Sequence, residues 1–490
     1  MKTTLNYHGI VKMMGVLLVV VGISLLLPLV VGVYYQEWKS VLVFLETAAI
    51  SVVVGALIMK YYHPQPLKTR ERDGYIIVTL CWIVASIIGA VPFYISGAIP
   101  KFVDAFFETC SGFSTTGASI LTDVESLPKS MLMWRSFTHW LGGMGIIVLV
   151  TALLPSMGVG GQNVASAETP GPTMTKISAR FSDMAKNLYK VYLVFTVAEI
   201  ILLILGGMNL YDSMIHSFGT VGTGGFSNYA DSVAHFKSPY IQWVIIIFMI
   251  LCGINFNLYF YVIKGRLVDF FKDEELRLYL FIIAGFSALI AINLMVQDQY
   301  VNLEKTIRDS VFQVASIITT TGYATANYNV WPMFSKMLIF FVMITGACSS
   351  STGGGVKLIR ILTAIKFVKR GFFMKFHHHR VGDITVDGHG VQQSVMTNIV
   401  NFIFFFLIVL FGGSLLISVD GFDVVTNMSS ALTCICNVGP GYNMVGPDGN
   451  FSIFSDFSTF ILSLLMIAGR LELFTFFLVL SPRYWNSNRP

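Results

Sequence analysis

Charge is what this chain has least of. Only 12% of its 490 residues are Asp, Glu, Lys or Arg, while 54% are hydrophobic; a soluble domain carries about 25% charged residues. The shortage excludes a soluble globular protein and leaves an integral membrane one. The net charge of +5 is too small to argue for a nucleic-acid partner, and none is expected. The six cysteines (Cys81, Cys110, Cys252, Cys348, Cys434, Cys436) have neither disulfide-framework nor zinc-site spacing. Nucleotide and metalloprotease motifs are missing too. Gly158, Gly160 and Gly161 do not form a dinucleotide fingerprint, Lys357 lacks phosphate-loop spacing, and no HExxH occurs. His377-His378-His379 sits in a basic loop and reads as solvated rather than metal-binding. The polar residues within apolar segments are mostly Thr, Gly and Asn, with no convergent catalytic cluster. Neither an enzyme nor a covalently bound cofactor is expected.

Long apolar runs, by contrast, are plentiful. Ten lie near 10–33, 40–61, 74–98, 131–154, 187–208, 239–263, 277–296, 334–356, 394–418 and 456–480, and crossing a ~30 Å hydrocarbon core takes about 20 residues. The first is too long for a signal-peptide core and has no small-x-small cleavage site, so it is expected to stay as a membrane helix. Four shorter stretches, 102–113, 211–221, 306–318 and 423–436, lie between later pairs of runs. They suit re-entrant helices better than spans, with an amphipathic surface helix as the alternative. Lys and Arg crowd one set of loops, for example Lys68, Arg70 and Arg72, or Lys366, Lys369 and Arg370. The positive-inside rule makes those loops and both termini cytoplasmic.

Each short stretch runs into a glycine-centred loop on the opposite, outer side. Thr115-Thr116-Gly117, Thr223-Gly224-Gly225, Thr320-Thr321-Gly322 and Asn437-Val438-Gly439 align, with their last glycines 108, 97 and 117 residues apart. Four such units form an internal repeat, each entering and leaving from the cytoplasm, so they can surround an axis along the membrane normal. Extended backbone with inward carbonyls can replace the water shell of a monovalent cation, and glycine allows the required backbone angles. These twelve residues are therefore the candidate filter for a monovalent cation. Outer acids Asp104, Glu108, Asp212, Asp309 and Asp423 either concentrate cations there or serve as solvated and capping groups.

Beyond the filters, Trp140-Leu141-Gly142-Gly143-Met144-Gly145, Gly253-Ile254-Asn255-Phe256-Asn257-Leu258-Tyr259, Gly353-Gly354-Gly355-Val356-Lys357 and Gly469-Arg470-Leu471-Glu472 complete a pattern. Over essentially its full length the chain resembles the membrane subunit of Trk-type potassium uptake systems, in the Trk/Ktr/HKT superfamily. The resemblance implies an all-α integral membrane protein. Four helix–pore-helix–filter–helix repeats would surround a pseudo-fourfold axis, with two extra N-terminal transmembrane helices. The expected divisions are 1–65 for that pair and 66–155, 156–265, 266–385 and 386–490 for the repeats. It further implies potassium as the substrate (Gly117, where serine goes with sodium preference), a bacterial inner-membrane location and a homodimer. A cytosolic TrkA-like subunit that carries the regulatory nucleotide, NAD(H) or ATP/ADP, is implied as partner, docking on segments such as 155–186 and 364–393. The fourth loop departs from the Thr-rich pattern, which argues against true fourfold chemistry.

After Pro332 the apolar run is interrupted by Thr345-Gly346-Ala347-Cys348-Ser349-Ser350-Ser351-Thr352-Gly353-Gly354-Gly355. An unbroken helix of about 40 residues would reach about 60 Å, twice the core, so a break is expected. A mobile obstruction and a small-residue packing face both fit the residues; the resemblance implies an intramembrane gating loop, 345–357. Among the repeats, this is the quarter whose helix is expected to be broken by such a loop. Arg470, midway through the last run, is a functional candidate by its depth. It either faces the pore and meets the loop, or pairs with Glu199 or Glu472. Glu199, Asn255 and Asn257 read as interhelical hydrogen-bonding groups. A proton- or sodium-coupled symporter is the alternative function, kept open by Glu199.

Overall fold

The structure, a computed structural model, describes residues 5–62, 71–145, 181–300, 302–376 and 384–485. The histidine triplet at 377–379, the glycines at 158–161 and most of the connection 155–186 lie outside the described residues.

Apolar runs become helices that bury one side and leave the other to lipid. At the N-terminus α1 (Tyr7–Ser24) and α2 (Leu26–Tyr34) pack with α3 (Trp38–Tyr61) beside the first repeat. That repeat consists of α4 (Glu71–Ser96), α5 (Phe102–Phe113) and α6 (Lys129–Gly143). The second has α7 (Phe181–Leu205), α8 (Leu210–Gly222) and α9 (Pro239–Gly253), followed by the short α10 (Tyr259–Ile263) and α11 (Leu267–Lys272). The third comprises α12 (Glu274–Val296), α13 (Leu303–Ile318) and α14 (Met333–Thr345). After it come α15 (Leu358–Phe376) and a hairpin of β1 (Thr385–Val386) and β2 (His389–Gly390). The fourth has α16 (Gln393–Ile417), α17 (Val424–Cys436) and α18 (Asp456–Arg470), then α19 (Phe474–Leu480) and α20 (Pro482–Trp485). The chain is thus an all-α membrane protein of four helix–short-helix–loop–helix units plus an N-terminal pair.

The middle helix of each unit is re-entrant. α5, α8, α13 and α17 have 12 to 16 residues, too short to span, and are buried over most of their surface. Three begin on a side-chain cap: Asn209, Asn302 and Asp423 each accept a first-turn N–H, which satisfies groups the helix itself leaves open.

The helices that follow the loops stop early. The expected continuous spans 239–263 and 456–480 are instead bent, by 90° between Pro239–Gly253 and Phe256–Ile263 and by 120° between Asp456–Arg470 and Phe474–Leu480. α14 ends at Gly346, as expected there, and α6 ends at Gly143, with its continuation beyond 145 outside the described residues. A break is therefore not peculiar to the third repeat; among the described residues, its non-helical insert is longer than those of the second and fourth. The causes differ. At the second, the Asn255 side chain accepts from Asn257 N–H and starts a new turn. At the fourth, two successive non-glycine residues, Glu472 (φ 55°) and Leu473 (φ 58°), are left-handed, a conformation held only where surroundings over-determine it.

Candidate ion-conduction site

The four glycine loops share one backbone conformation. Thr115, Thr223, Thr320 and Asn437 have φ of 57°, 55°, 57° and 54°, and two residues on, Gly117, Gly225, Gly322 and Gly439 have φ of 80°, 78°, 81° and 99°. At the last four, neighbouring loops also approach closely. A Cβ on Gly117 would collide with the carbonyl of Gly224, one on Gly225 with that of Thr321, and one on Gly322 with that of Val438. On Gly439 it would lie 2.7 Å from the carbonyl of Thr116. The order one, two, three, four, one closes a ring, with a backbone carbonyl at each joint.

Departure of the fourth loop from the threonine pattern leaves that backbone symmetry intact and changes the side chains. Hydroxyl pairs stiffen loops one and three: Ser114 with Thr116 at 2.7 Å, and Thr319 with Thr321 at 2.8 Å. In loop four the Asn437 amide donates to Thr116 Oγ1 and to Met466 O, both at 2.9 Å, tying the fourth quarter to the first. Aromatics back the ring as well. Tyr323 OH donates to His216 O (3.1 Å) and Phe226 O (3.3 Å) of the second repeat.

Of the outer acids, Asp423 takes the capping role and three others are neither solvated nor caps. Glu108, Asp212 and Asp309 are buried and brace the strands that leave the filter. Asp212 accepts from Asn228 Nδ2 (2.8 Å) and Tyr229 OH (3.0 Å), and Asp309 accepts from Thr325 Oγ1 (3.0 Å). Glu108 pairs with Arg135. Asp423 caps α17, and hydrogen bonds led by that from Thr426 hold its carboxyl below the usual carboxylate range.

Beneath the ring, the insert after α14 is pressed against the filter. Gly354 N–H donates to Thr320 Oγ1 at 2.7 Å, and a Cβ on Gly353 would come within 2.8 Å of Thr319 O. The insert is also stitched to the second-repeat break, by Cys348 N–H to Gly253 O (3.1 Å) and Phe256 N–H to Ser350 O (3.2 Å). Buried Lys357 donates to Gly353 O. Arg470 reaches the insert from the fourth repeat. Its guanidinium donates to Thr352 O (2.8 Å), and to Gly142 O (2.6 Å) and Gly143 O (2.9 Å) at the end of α6. One side chain thus links repeats one, three and four. Arg360 donates to Glu472, its ring-facing guanidinium 3.9 Å from the Phe402 centroid. Glu199 is fully buried and neither carboxylate oxygen has a hydrogen-bond partner among the described residues.

This arrangement presents carbonyl dipoles in a ring, the kind of group that can replace a cation's water shell, with the glycine-rich insert, Lys357 and Arg470 packed beside it. A profile of the TrkH family, described as cation transport protein, matches residues 40–487. The chain belongs to the TrkH family. The Trk system potassium uptake protein TrkH of Escherichia coli K12 is 32% identical over 484 residues, covering 98% of this chain and 100% of that protein. TrkH of Vibrio parahaemolyticus serotype O3:K6 is 33% identical over 488 residues, covering 99% and 100%. The crystal structure of the potassium transporter TrkH from Vibrio parahaemolyticus superposes with a TM-score of 0.88 at 31% identity, over 98% of this chain and 100% of that one. Relatives of this TrkH-family chain are thus transporters, and with six described helices long and apolar enough to cross a membrane it is a multi-pass bacterial membrane protein.

One residue of the TrkH-family site escaped the sequence reading. Glu275, buried in the first turn of α12, accepts from Ser349 N–H (2.7 Å), Ser349 Oγ (2.7 Å) and Ile359 N–H (3.0 Å). It therefore ties Ser349, within the insert, to the first turn of α15. In sequence it is one of three consecutive acids, Asp273-Glu274-Glu275, which read as ordinary complements to a helix N-terminus. Only the tertiary contact separates it from its neighbours.

Proposed function

We propose that this chain takes up potassium across the bacterial plasma membrane through one pore built from its four repeats, divided at 66–155, 156–265, 266–385 and 386–490. The observation that carries the reading is the closed ring of carbonyls from Thr116, Gly224, Thr321 and Val438, one from each loop. Potassium is the substrate, held only at the filter residues.

Gating is assigned to the insert 345–357 with Arg470. Gly354 N–H on Thr320 supports a closed state in which the insert occupies the inner mouth of the filter. Thr345, Gly346, Ser349, Ser350, Ser351, Gly353, Gly354, Gly355 and Lys357 form or flank it. Gly346 and Gly355 lie in the left-handed region (φ 67° and 77°) and meet each other closely, which gives the insert two hinges. Glu275→Ala removes an acceptor of three hydrogen bonds. A typical hydrogen bond contributes about 0.5–1.5 kcal/mol, so loss of the three together suffices for a change of about tenfold. The expected result is potassium flux about tenfold higher in liposomes at an unchanged potassium-to-sodium ratio.

Basic loops on one face support cytoplasmic termini. A homodimer, and control by a cytosolic TrkA-like subunit binding NAD(H) or ATP/ADP, are proposed with the same reading on the strength of the family resemblance. Glu199, a fully buried carboxyl, favours one second reading, a proton- or sodium-coupled symporter. Purified chain in liposomes under a potassium gradient alone separates the two. Selective flux without proton or sodium gradients is expected; flux that appears only with such a gradient would favour coupling.

A further inference from the structure

We propose that the Glu108–Arg135 ion pair positions the first and second quarters of the filter and thereby sets the ring's discrimination between potassium and sodium. The proposal rests on the potassium-path reading above.

Glu108 lies on α5 and Arg135 on α6, their side chains 0% and 4% exposed, joined at 2.5 Å. Each continues to a different filter loop. Glu108 Oε2 accepts from Ile120 N–H at 2.8 Å, and Ser119 Oγ donates to Oε1 at 3.2 Å; these residues directly follow Gly117 and Ala118. Arg135 donates through Nη1 to Ser227 O at 2.8 Å and sits 3.5 Å from the ring centroid of Phe226; these directly follow Gly225. Ser227 is held from its own repeat too, its Oγ 3.1 Å from His216 Nε2. The pair is therefore a strut between the strands leaving loops one and two. Those loops meet where Gly117 abuts the carbonyl of Gly224.

Buried ion pairs are a weak source of stability, because desolvation offsets attraction. What this one supplies is distance: two charges fixed by five directional contacts tolerate little displacement of either strand. Loops three and four are braced by neutral donors instead, Thr325 on Asp309 and Tyr442 N–H on Ser429 Oγ (3.0 Å). Since selectivity follows the positions and field of the carbonyl dipoles, loosening the strut should change which cation passes more than how much passes.

The test uses full-length Glu108→Gln, Arg135→Lys and the double variant Glu108→Gln/Arg135→Gln, reconstituted in liposomes, with potassium and sodium fluxes read separately. Glu108→Gln keeps an acceptor for Ile120 but uncouples Arg135, and the flux ratio is expected to fall about tenfold, a loss equivalent to about 1.4 kcal/mol. Arg135→Lys keeps both charges but cannot hold Glu108 and Ser227 at once through separate nitrogens as Nε and Nη1 do, so an intermediate ratio is expected; it carries the test if Glu108→Gln fails to insert. The double variant should recover part of the ratio, because no unpaired buried charge remains. Monodisperse variants whose ratio equals that of a selective parent, whatever their total flux, would overturn the proposal alone. A parent chain without selective potassium flux would overturn the potassium-path reading and this proposal with it.

Discussion

Gly322→Ser is expected to lower the potassium-to-sodium flux ratio by about 10- to 100-fold while leaving measurable cation flux. A side chain there meets two obstacles. The residue sits at φ 81°, where a non-glycine residue costs about 1–3 kcal/mol. Its Cβ would also run into the carbonyl of Val438 and lie 2.9 Å from Pro440. Relief requires Val438 to move, and Val438 supplies the fourth-repeat carbonyl at that joint. At about 1.4 kcal/mol per tenfold, the strain range alone brackets the expected loss. Gly412→Ala is the control: Gly412 is exposed on α16 with nothing near its Cβ position, and its flux ratio should match the parent's. A Gly322→Ser protein with parental selectivity would show that the joints between loops do not set discrimination.

Arg470→Gln should act on the other quantity. A cation passing ~4 Å from a guanidinium meets about 4 kcal/mol of repulsion at an effective dielectric constant of 20. Neutralisation removes that barrier and also frees the carbonyls of Thr352, Gly142 and Gly143, to which Arg470 donates. Potassium flux is expected to rise at least about tenfold, short of the full electrostatic effect because Gly354 still engages Thr320. The potassium-to-sodium ratio should not change. Flux that stays level or falls in correctly inserted protein would count against Arg470 as a barrier and leave it as a tie between repeats.

These two residues also mark where the sequence was informative. Gly322 belongs to a pattern that the sequence writes four times: a short stretch with polar and aromatic positions mixed in, then a loop centred on a glycine, with threonine before it in three of the four. The stretches 102–113 and 306–318 accordingly match Phe102–Phe113 and Leu303–Ile318 closely. Arg470 stood out because a charge in an apolar run has few reasons to be there. Its partners were open from sequence, since they come from residues 118 and more than 300 positions away. The same distance hid other features. In sequence Glu108 is open between concentrating cations and a solvated or capping role, and its partner Arg135 lies 27 residues away. The bend after Arg470 has no glycine or proline at its left-handed positions Glu472 and Leu473. There Leu473 is buried and Glu472 engages Arg360, so tertiary contacts rather than local preference hold the turn.

The account stands most directly on where a potassium-like ion sits. Rubidium introduced into crystals of the full chain, located by its anomalous scattering, is expected on the axis of the ring bounded by the carbonyls of Thr116, Gly224, Thr321 and Val438. The peak should weaken or shift in Gly322→Ser. Rubidium bound only elsewhere, or an empty ring at concentrations that saturate transport, would contradict the claim that these four loops form the ion path.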